Sequence, residues 1–184
     1  MADGLFYIDL REPCISTDVT AVTLAATNKA LYPAAAFPVL GGQYFARPGK
    51  KIRIRAFGRI TTALTPGNLT LALFYGTGAD ANGVSLAASA AQVLIASQTN
   101  LSWEIDLLCH CRTTGAAGTL FVTGKAAFNT AVIAAGAFLI PASAPVVSGS
   151  CDLTAALILS VQALRSGSTA ETMQIHDMEV IAFN

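Results

Sequence analysis

The residues best suited to chemistry are the run Cys109-His110-Cys111. Two thiols and an imidazole can contribute to a zinc site. The residues that could complete four ligands are Cys14, Cys151 and His176. The run lies in a predicted β-strand, where successive side chains point to opposite faces. The two cysteines would then share one face without His110, so we interpret them as reduced, core-packing thiols and predict no metal and no other cofactor.

Two carboxyl groups precede this run, Glu104 and Asp106, on one predicted strand face. A carboxyl pair can perform acid–base catalysis. The same face carries His110 and Arg112, which is typical of a solvated or salt-paired surface. His110 and His176 are the only histidines and no Gly-x-Ser-x-Gly motif occurs, so nucleophilic catalysis has few candidates. We therefore predict that the protein is not an enzyme and has no catalytic residues.

Basic residues are concentrated in one part of the chain. Six of the eleven lie within thirteen positions, namely Arg47, Lys50, Lys51, Arg53, Arg55 and Arg59. Alternation places Arg53, Arg55 and Arg59 on one strand face, which we interpret as a docking face for an acidic protein surface. The face of Glu104 and Asp106, in the same subunit or the next, is one acidic counterpart. An exposed strand that protects a sheet edge is the alternative interpretation.

The composition limits the possible partners. The chain has 184 residues, 11 basic and 11 acidic, and only 12% of its residues are charged, against about 25% in an average domain. Zero net charge argues against direct binding of nucleic acid. The weakly polar run 130–147 is interrupted by Gly136, Pro141 and Pro145, so we predict no membrane span, and the first residues do not form a signal peptide. So few charges indicate a surface that is largely covered by other molecules.

The elements that position these residues are predicted to be β-strands. Alternating or apolar runs separated by Gly-rich turns occur at 51–60, 69–75, 102–112, 119–128, 157–164 and 173–183. The turn chemistry of residues 65–68 predicts that the first two of these strands are antiparallel neighbours. Residues 87–96 are ambiguous between helix and strand. The pattern predicts an all-β fold, an antiparallel, jelly-roll-like β-sandwich.

The first part of the chain is different. Residues 1–48 hold four of the seven prolines and show no sustained period. We predict an extended N-terminal arm over 1–48, with one or two short strands, followed by a sandwich domain over 49–184. The arm buries little against itself, so we predict that its apolar residues anchor it to a neighbouring molecule. The predicted anchors are Phe6, Tyr7, Ile8 and Tyr32.

Several segments together resemble small virion proteins of tailed bacteriophages. The segments that carry the resemblance are 51–60 (KIRIRAFGRI), 65–71 (TPGNLTL), 100–105 (NLSWEI), 115–119 (GAAGT) and the closing strand around 174–176 (QIH). The resemblance covers about residues 50–184. It implies an Ala-, Gly- and Thr-rich β-sandwich that acts as a head decoration or auxiliary capsid protein.

The resemblance also implies the partners. The chain would form a homotrimer seated on the major capsid protein, in a virion assembled in the host cytoplasm. The alternative function is a tail-associated or carbohydrate- and receptor-binding β-sandwich module. Sugar sites present exposed aromatic rings beside polar groups, and the single tryptophan, Trp103, is predicted to face inward, which weakens this alternative.

Overall fold

The structure is a computed structural model that describes residues 8–40, 44–167 and 171–183, with only the backbone described for 8–14. The described residues form twelve strands and a short 3-10 helix at Ala34–Ala36. The strands are β1 (Ile8–Ile15), β2 (Val22–Thr23), β3 (Lys29–Ala30), β4 (Lys51–Thr61), β5 (Asn68–Gly76), β6 (Val84–Ala88), β7 (Gln92–Val93), β8 (Leu101–Thr113), β9 (Thr119–Phe128), β10 (Ala137–Ile140), β11 (Ile158–Arg165) and β12 (Thr172–Phe183). No helix in the described part of the chain is long and apolar enough to cross a membrane.

The strands form two antiparallel sheets. Sheet A has the order β1-β12-β4-β8-β9-β10, with β2 also paired to β12. Sheet B has the order β3-β11-β5-β6, with β7 also paired to β5. The prediction of an all-β antiparallel sandwich is confirmed.

The core lies between the sheets and follows from strand alternation. In β4, the residues Ile52, Ile54, Ala56 and Ile60 are buried, while the residues between them are partly exposed. In β8, Trp103, Ile105 and Leu107 are buried in the same way. Both faces are as the period-two pattern predicts.

The predicted pairing of the strands around residues 65–68 is wrong. Strand β4 belongs to sheet A, whereas β5 belongs to sheet B and pairs with β11, β6 and β7. Residues 62–67 cross between the sheets instead of forming a hairpin. The sequence of β5 indicates this different position, because the strand is apolar on both faces, as expected of a strand that is covered on both sides. In the structure, Ala72 and Phe74 are buried on the side of β5 that faces away from the core.

A loop covers that outer side of sheet B. Residues 77–83 are held by Gln162, whose side chain is fully buried. Its Nε2 donates to the carbonyl of Ala79, and its Oε1 accepts from the N–H of Ala81. One buried amide therefore satisfies the turns of the covering loop.

The segment predicted as an arm takes part in both sheets. Strands β1 and β2 join sheet A, and β3 joins sheet B. Between β3 and β4, Leu31, Phe37 and Leu40 are buried in the common core. This part of the segment therefore packs against its own chain.

A buried ion pair closes one end of the sandwich. Arg165, at the end of β11, lies 3.0 Å from the carboxylate of Glu171, and their side chains are 9% and 0% exposed. The Arg165 guanidinium also donates to the carbonyls of Leu24 and Gly167, and Glu171 accepts from the N–H of Gly67. The pair thus connects three separate segments of the chain.

Candidate interaction surface

The outer face of sheet A gathers most of the charged side chains that the sequence analysis selected. On adjacent strands, Glu179 lies opposite Arg55, Arg55 opposite Asp106, and Asp106 opposite Lys125. We call these four residues the charge ladder. Their signs alternate across β12, β4, β8 and β9, so each charge has an opposite neighbour.

The strongest contact on this face joins Arg53 to Asp106. The Arg53 Nε donates to Asp106 Oδ1 at 2.7 Å, and its Nη2 contacts Oδ2 of the same carboxylate. Arg55 adds a weaker contact at 4.0 Å. The hydrogen bond from Arg53 holds the pKa of Asp106 below its usual range, while partial burial opposes that shift. The predicted acidic counterpart is confirmed within the same subunit for Asp106.

The three predicted docking arginines share this face. Arg59 donates from Nε to Gln174 Oε1 at 2.7 Å, and the Arg55 guanidinium lies 5.3 Å from the centre of the Phe57 ring. The side chains of Arg53 and Arg55 keep 40% and 38% of their area exposed. Because β4 lies in the middle of sheet A, the alternative of an edge-protecting strand is wrong.

The predicted arm anchors fall in different environments. Phe6 and Tyr7 lie outside the described residues, and Ile8 begins β1 opposite Phe183. Tyr32 is 2% exposed, donating from its hydroxyl to the carbonyl of Leu159 and accepting from the N–H of Val161. Its ring fills the core of its own chain, so Tyr32 is not available as an intermolecular anchor. The residues next to Tyr32 in the sequence are equally compatible with a buried ring and with an exposed arm, so the sequence could not predict this packing.

The cysteine run is divided between the two faces as predicted. Cys109 and Cys111 are buried in the core, whereas the His110 ring packs edge-on against Phe121 on the outer face. Burial raises the pKa of the Cys109 and Cys111 thiols, which lowers their reactivity. Burial, together with nearby Lys51 and Arg112, lowers the pKa of His110. The core-packing interpretation of both cysteines is confirmed.

A surface groove of about 660 Å³ lies beside β3 and is lined partly by Asp18 and Asp80. Asp80 accepts from Lys29 Nζ at 2.7 Å and from the N–H of Ala30. The hydrogen bond from Lys29 keeps the pKa of Asp80 below its usual range. Asp18 pairs with His176 Nδ1. Both carboxylates are thus engaged in contacts that hold the groove together.

A smaller groove of about 310 Å³ lies at the start of β8 and the end of β9, beside Phe57 of β4. Its lining combines aromatic rings with polar groups, namely Phe57, Ser102, Trp103, Glu104, Ala127, Phe128 and Asn129. The rings of Trp103 and Phe128 are stacked 6.2 Å apart. The buried Nε1 of Trp103 has no hydrogen-bond partner within the described residues.

One surface was missed by the sequence analysis, at the β10 edge of sheet A. Leu139 and Val146 are each 69% exposed, and residues 142–147 are all exposed. Residues 126–151 contain no charged side chain and no histidine. This absence of charge could have identified the surface from the sequence, because an ordinary solvated loop contains charged residues and an exposed apolar segment does not.

Comparison with known proteins gives little further information. No family model and no curated protein matches the chain. Among solved structures, the botulinum neurotoxin serotype C1 binding domain is 10% identical, with a TM-score of 0.25, covering 72% of this chain and 33% of that one. The legume lectin-like domain from Entamoeba histolytica is 7% identical, with a TM-score of 0.23, covering 73% and 72%. The chain spans about a third of the neurotoxin chain, and none of these similarities carries a functional argument.

Proposed function

We propose that this protein is a non-enzymatic structural component of a bacteriophage virion, a capsid decoration protein that oligomerises and stabilises the major capsid lattice. In this proposal the chain forms a homotrimer on the major capsid protein, in a particle assembled in the host cytoplasm. The resemblance of residues 50–184 to small virion proteins is its starting point.

The observation that carries the proposal is the uncharged exposed surface around β10. Leu139, Val146 and Val147 are exposed there with no charged residue between positions 126 and 151. A free-standing domain usually stays soluble through charged residues spread over its surface. In an array, neighbouring subunits cover such a surface, so the absence of charge there does not reduce the solubility of the assembly.

The outer face of sheet A supports a second, more polar contact. Arg53 and Arg55 remain about two-fifths exposed beside Asp106. An acidic surface of the capsid could share these guanidinium groups with Asp106. Contacts of this kind set register and partner choice more than affinity.

The non-enzymatic part of the proposal is supported by the engaged state of the carboxylates. In the groove beside β3, Asp80 and Asp18 are paired with Lys29 and His176. On the outer face, Asp106 is paired with Arg53. Buried thiols with raised pKa values, such as that of Cys109, are also poor nucleophiles.

The experiment that tests the proposal uses particles of the phage that encodes the chain. We expect the chain to be present in purified virions in many copies, and a reconstruction to place it on the outside of the capsid. Particles that lack the chain should release their DNA at a lower temperature. Absence of the chain from purified virions would overturn the proposal.

A truncated chain lacking residues 1–7 separates the arm from the sandwich, because the deletion leaves every described strand intact. If Phe6 and Tyr7 anchor the arm to a neighbour, this variant should occupy fewer capsid sites. Unchanged occupancy would remove Phe6 and Tyr7 from the proposal.

A second candidate function, carbohydrate or receptor binding by a tail-associated module, is favoured by the groove beside Phe57. Phe57 lies opposite Glu104 on the outer face, so an aromatic ring stands next to a carboxylate. A sugar could place its apolar face on the ring and a hydroxyl against the carboxylate.

A glycan array distinguishes the two candidates. Phe57→Ala should abolish any binding that uses this groove, while Phe121→Ala, which removes an aromatic ring elsewhere on the outer face, should keep it. If the intact protein binds no glycan, or if both variants bind as the intact protein does, this second function is wrong.

A further inference from the structure

The two edges of sheet A differ in how they are protected. Strand β1 forms one edge and contains Arg11, Glu12 and Pro13, with irregular register at two points. Charges, proline and bulges are the usual means of preventing an edge from pairing with another strand. Strand β10 forms the other edge and has none of these features, since it reads Ala-Phe-Leu-Ile.

The free side of β10 has unused backbone groups. Residues 137–140 pair with β9 through Lys125 and its neighbours, and no described residue hydrogen-bonds to the opposite side of 138–140. Leu139 is 69% exposed next to this edge. Because alternate residues of an edge strand point away from its neighbour and the N–H of Phe128 donates to Gly136 in the same register, the N–H and C=O of Leu139 are the groups available to a further strand.

The apolar surface continues beyond the strand. Residues 142–147 follow β10, and all of them are exposed. The N–H of Ala142 donates to the carbonyl of Ala88 in β6, and Val147 forms a bridge with Phe121 of β9. The segment is therefore fixed at both ends beside the open edge of sheet A.

We propose that the β10 edges of two copies of this chain pair antiparallel about a twofold axis and join their two sheets A into one continuous sheet. The inference deepens the proposed function and rests on its oligomerisation part. It adds a twofold contact to the expected trimer, so that trimers can be linked on a lattice.

The sequence of β10 is complementary to itself. A twofold axis at Leu139 places Leu139 against its own copy on the outer face. On the other face, Phe138 then lies opposite Ile140 of the second copy. Antiparallel partners share a face, so this register pairs the exposed Leu139 with its own copy and the partly buried Phe138 with the buried Ile140. Pro141 has no N–H, which ends the ladder after these residues.

Charge favours a second copy over other occupants. The nearest charged residue is Lys125, one strand inward from β10. In the joined sheet, the two Lys125 side chains would be three strand spacings apart, about 14 Å, which exceeds the Debye length of about 8 Å at physiological salt. Strand β10 itself has no charged residue that could pair with a charged partner strand. A second copy of β10 is also uncharged, so pairing the two edges leaves no charge without a partner.

The size of the contact predicts its strength. The strand and loop at 137–147 are fewer residues than the roughly 20–30 that each side of a stable interface contributes. We therefore expect a weak dimer in solution that depends on concentration. Repetition over a lattice would make the same contact strong through avidity.

The test compares the full chain with two lysine variants by sedimentation equilibrium over a wide range of concentration. Leu139→Lys places a charge on the proposed axis. Val93→Lys is the matched control, because Val93 is 71% exposed on β7 of sheet B. We expect the intact chain and Val93→Lys to self-associate, and Leu139→Lys to raise the dissociation constant at least about tenfold, with unchanged circular dichroism in all three.

Amide hydrogen exchange gives a second measurement on the unmodified chain. The amide of Leu139, which points to the free side of β10, should become more protected as concentration rises, and the amides of β1 should not. A chain that stays monomeric at every concentration, equal association of all three proteins, or concentration-independent exchange in β10 would each overturn the pairing.

The outcome is separable from that of the virion proposal. Self-association lost only in Leu139→Lys, by a chain absent from purified virions, would support the pairing and reject the decoration role. A chain present in virions whose self-association is unaffected by Leu139→Lys would reject the pairing alone.

Discussion

Arg165 and Arg53 both sit on β-strands beside a carboxylate, but their surroundings are opposite. Arg165 and Glu171 are almost completely buried at the end of the sandwich, while Arg53 and Asp106 lie partly exposed on the outer face of sheet A. A buried charge that loses its partner cannot recover hydration, whereas an exposed one can. The few charges of this protein thus divide into a group that holds the fold together and a group that is free to meet a partner.

Removal of the buried carboxylate should have the largest effect. Glu171→Gln leaves the Arg165 guanidinium buried without a counter-charge, and we expect a loss of about 3–5 kcal/mol in the free energy of unfolding. Denaturant titration of both proteins measures this difference.

The double variant Arg165→Met with Glu171→Leu is the control for that experiment. It removes both charges, so it should recover part of the loss. A single variant as stable as the intact chain would show that the buried pair does not hold the three segments together.

The same corner contains a glycine that no side chain can replace without movement. A Cβ on Gly67 would lie 1.4 Å from the carbonyl oxygen of Ser166. Gly67→Ala must displace backbone, and we expect a loss of about 1–3 kcal/mol, the usual range for overpacking. Thermal and denaturant unfolding measure it.

Gly115→Ala is the matched control for Gly67→Ala. Gly115 has a φ of +91° but open space around it, so alanine there costs only left-handed backbone strain, about 1–2 kcal/mol. A broadened unfolding transition in Gly67→Ala would mark a packing defect that Gly115→Ala should not show. Full stability in Gly67→Ala would contradict the close approach of the two turns.

The features of the fold and of the outer face that could be predicted from the sequence are those determined by residues close together in the chain. Alternation within β8 and β9 predicts both strands and their buried faces, because that information is local. The assignment of β5 to sheet B is not local, since a Pro-Gly turn is equally compatible with a hairpin and with a crossing between sheets. The pairing of Arg53 with Asp106 was one of two open options, because composition does not say whether a counter-charge lies in the same subunit.

The buried features were the hardest to foresee. Arg165 and Glu171 flank a Ser- and Gly-rich turn and read as ordinary surface residues. Tyr32 stands before Pro33 in a proline-rich segment, yet its hydroxyl bonds to β11, which lies more than a hundred positions away. Such contacts depend on the assembled core and leave no local pattern.

The smallest expected effect belongs to the exposed pair. Asp106→Asn should lower the free energy of unfolding at neutral pH by about 0.2–1 kcal/mol, the range for exposed ion pairs. Arg53 holds the pKa of Asp106 below its usual 3.8 in the folded state. The contribution of Asp106 is therefore fully present above pH 3.8 and is lost as the pH falls through the lowered folded-state pKa. Denaturant unfolding at several pH values should show the intact chain and Asp106→Asn converging in stability at low pH.

The control is Asp177→Asn, which removes an exposed carboxylate on β12 outside the charge ladder and should cost less stability at neutral pH than Asp106→Asn. A salt titration sharpens the comparison, because added salt screens the exposed pair and leaves the buried one largely unaffected. If Asp106→Asn cost as much as Glu171→Gln, or if its cost were independent of both pH and salt, the outer face would be a structural element, and its arginines could not be shared with a docking partner.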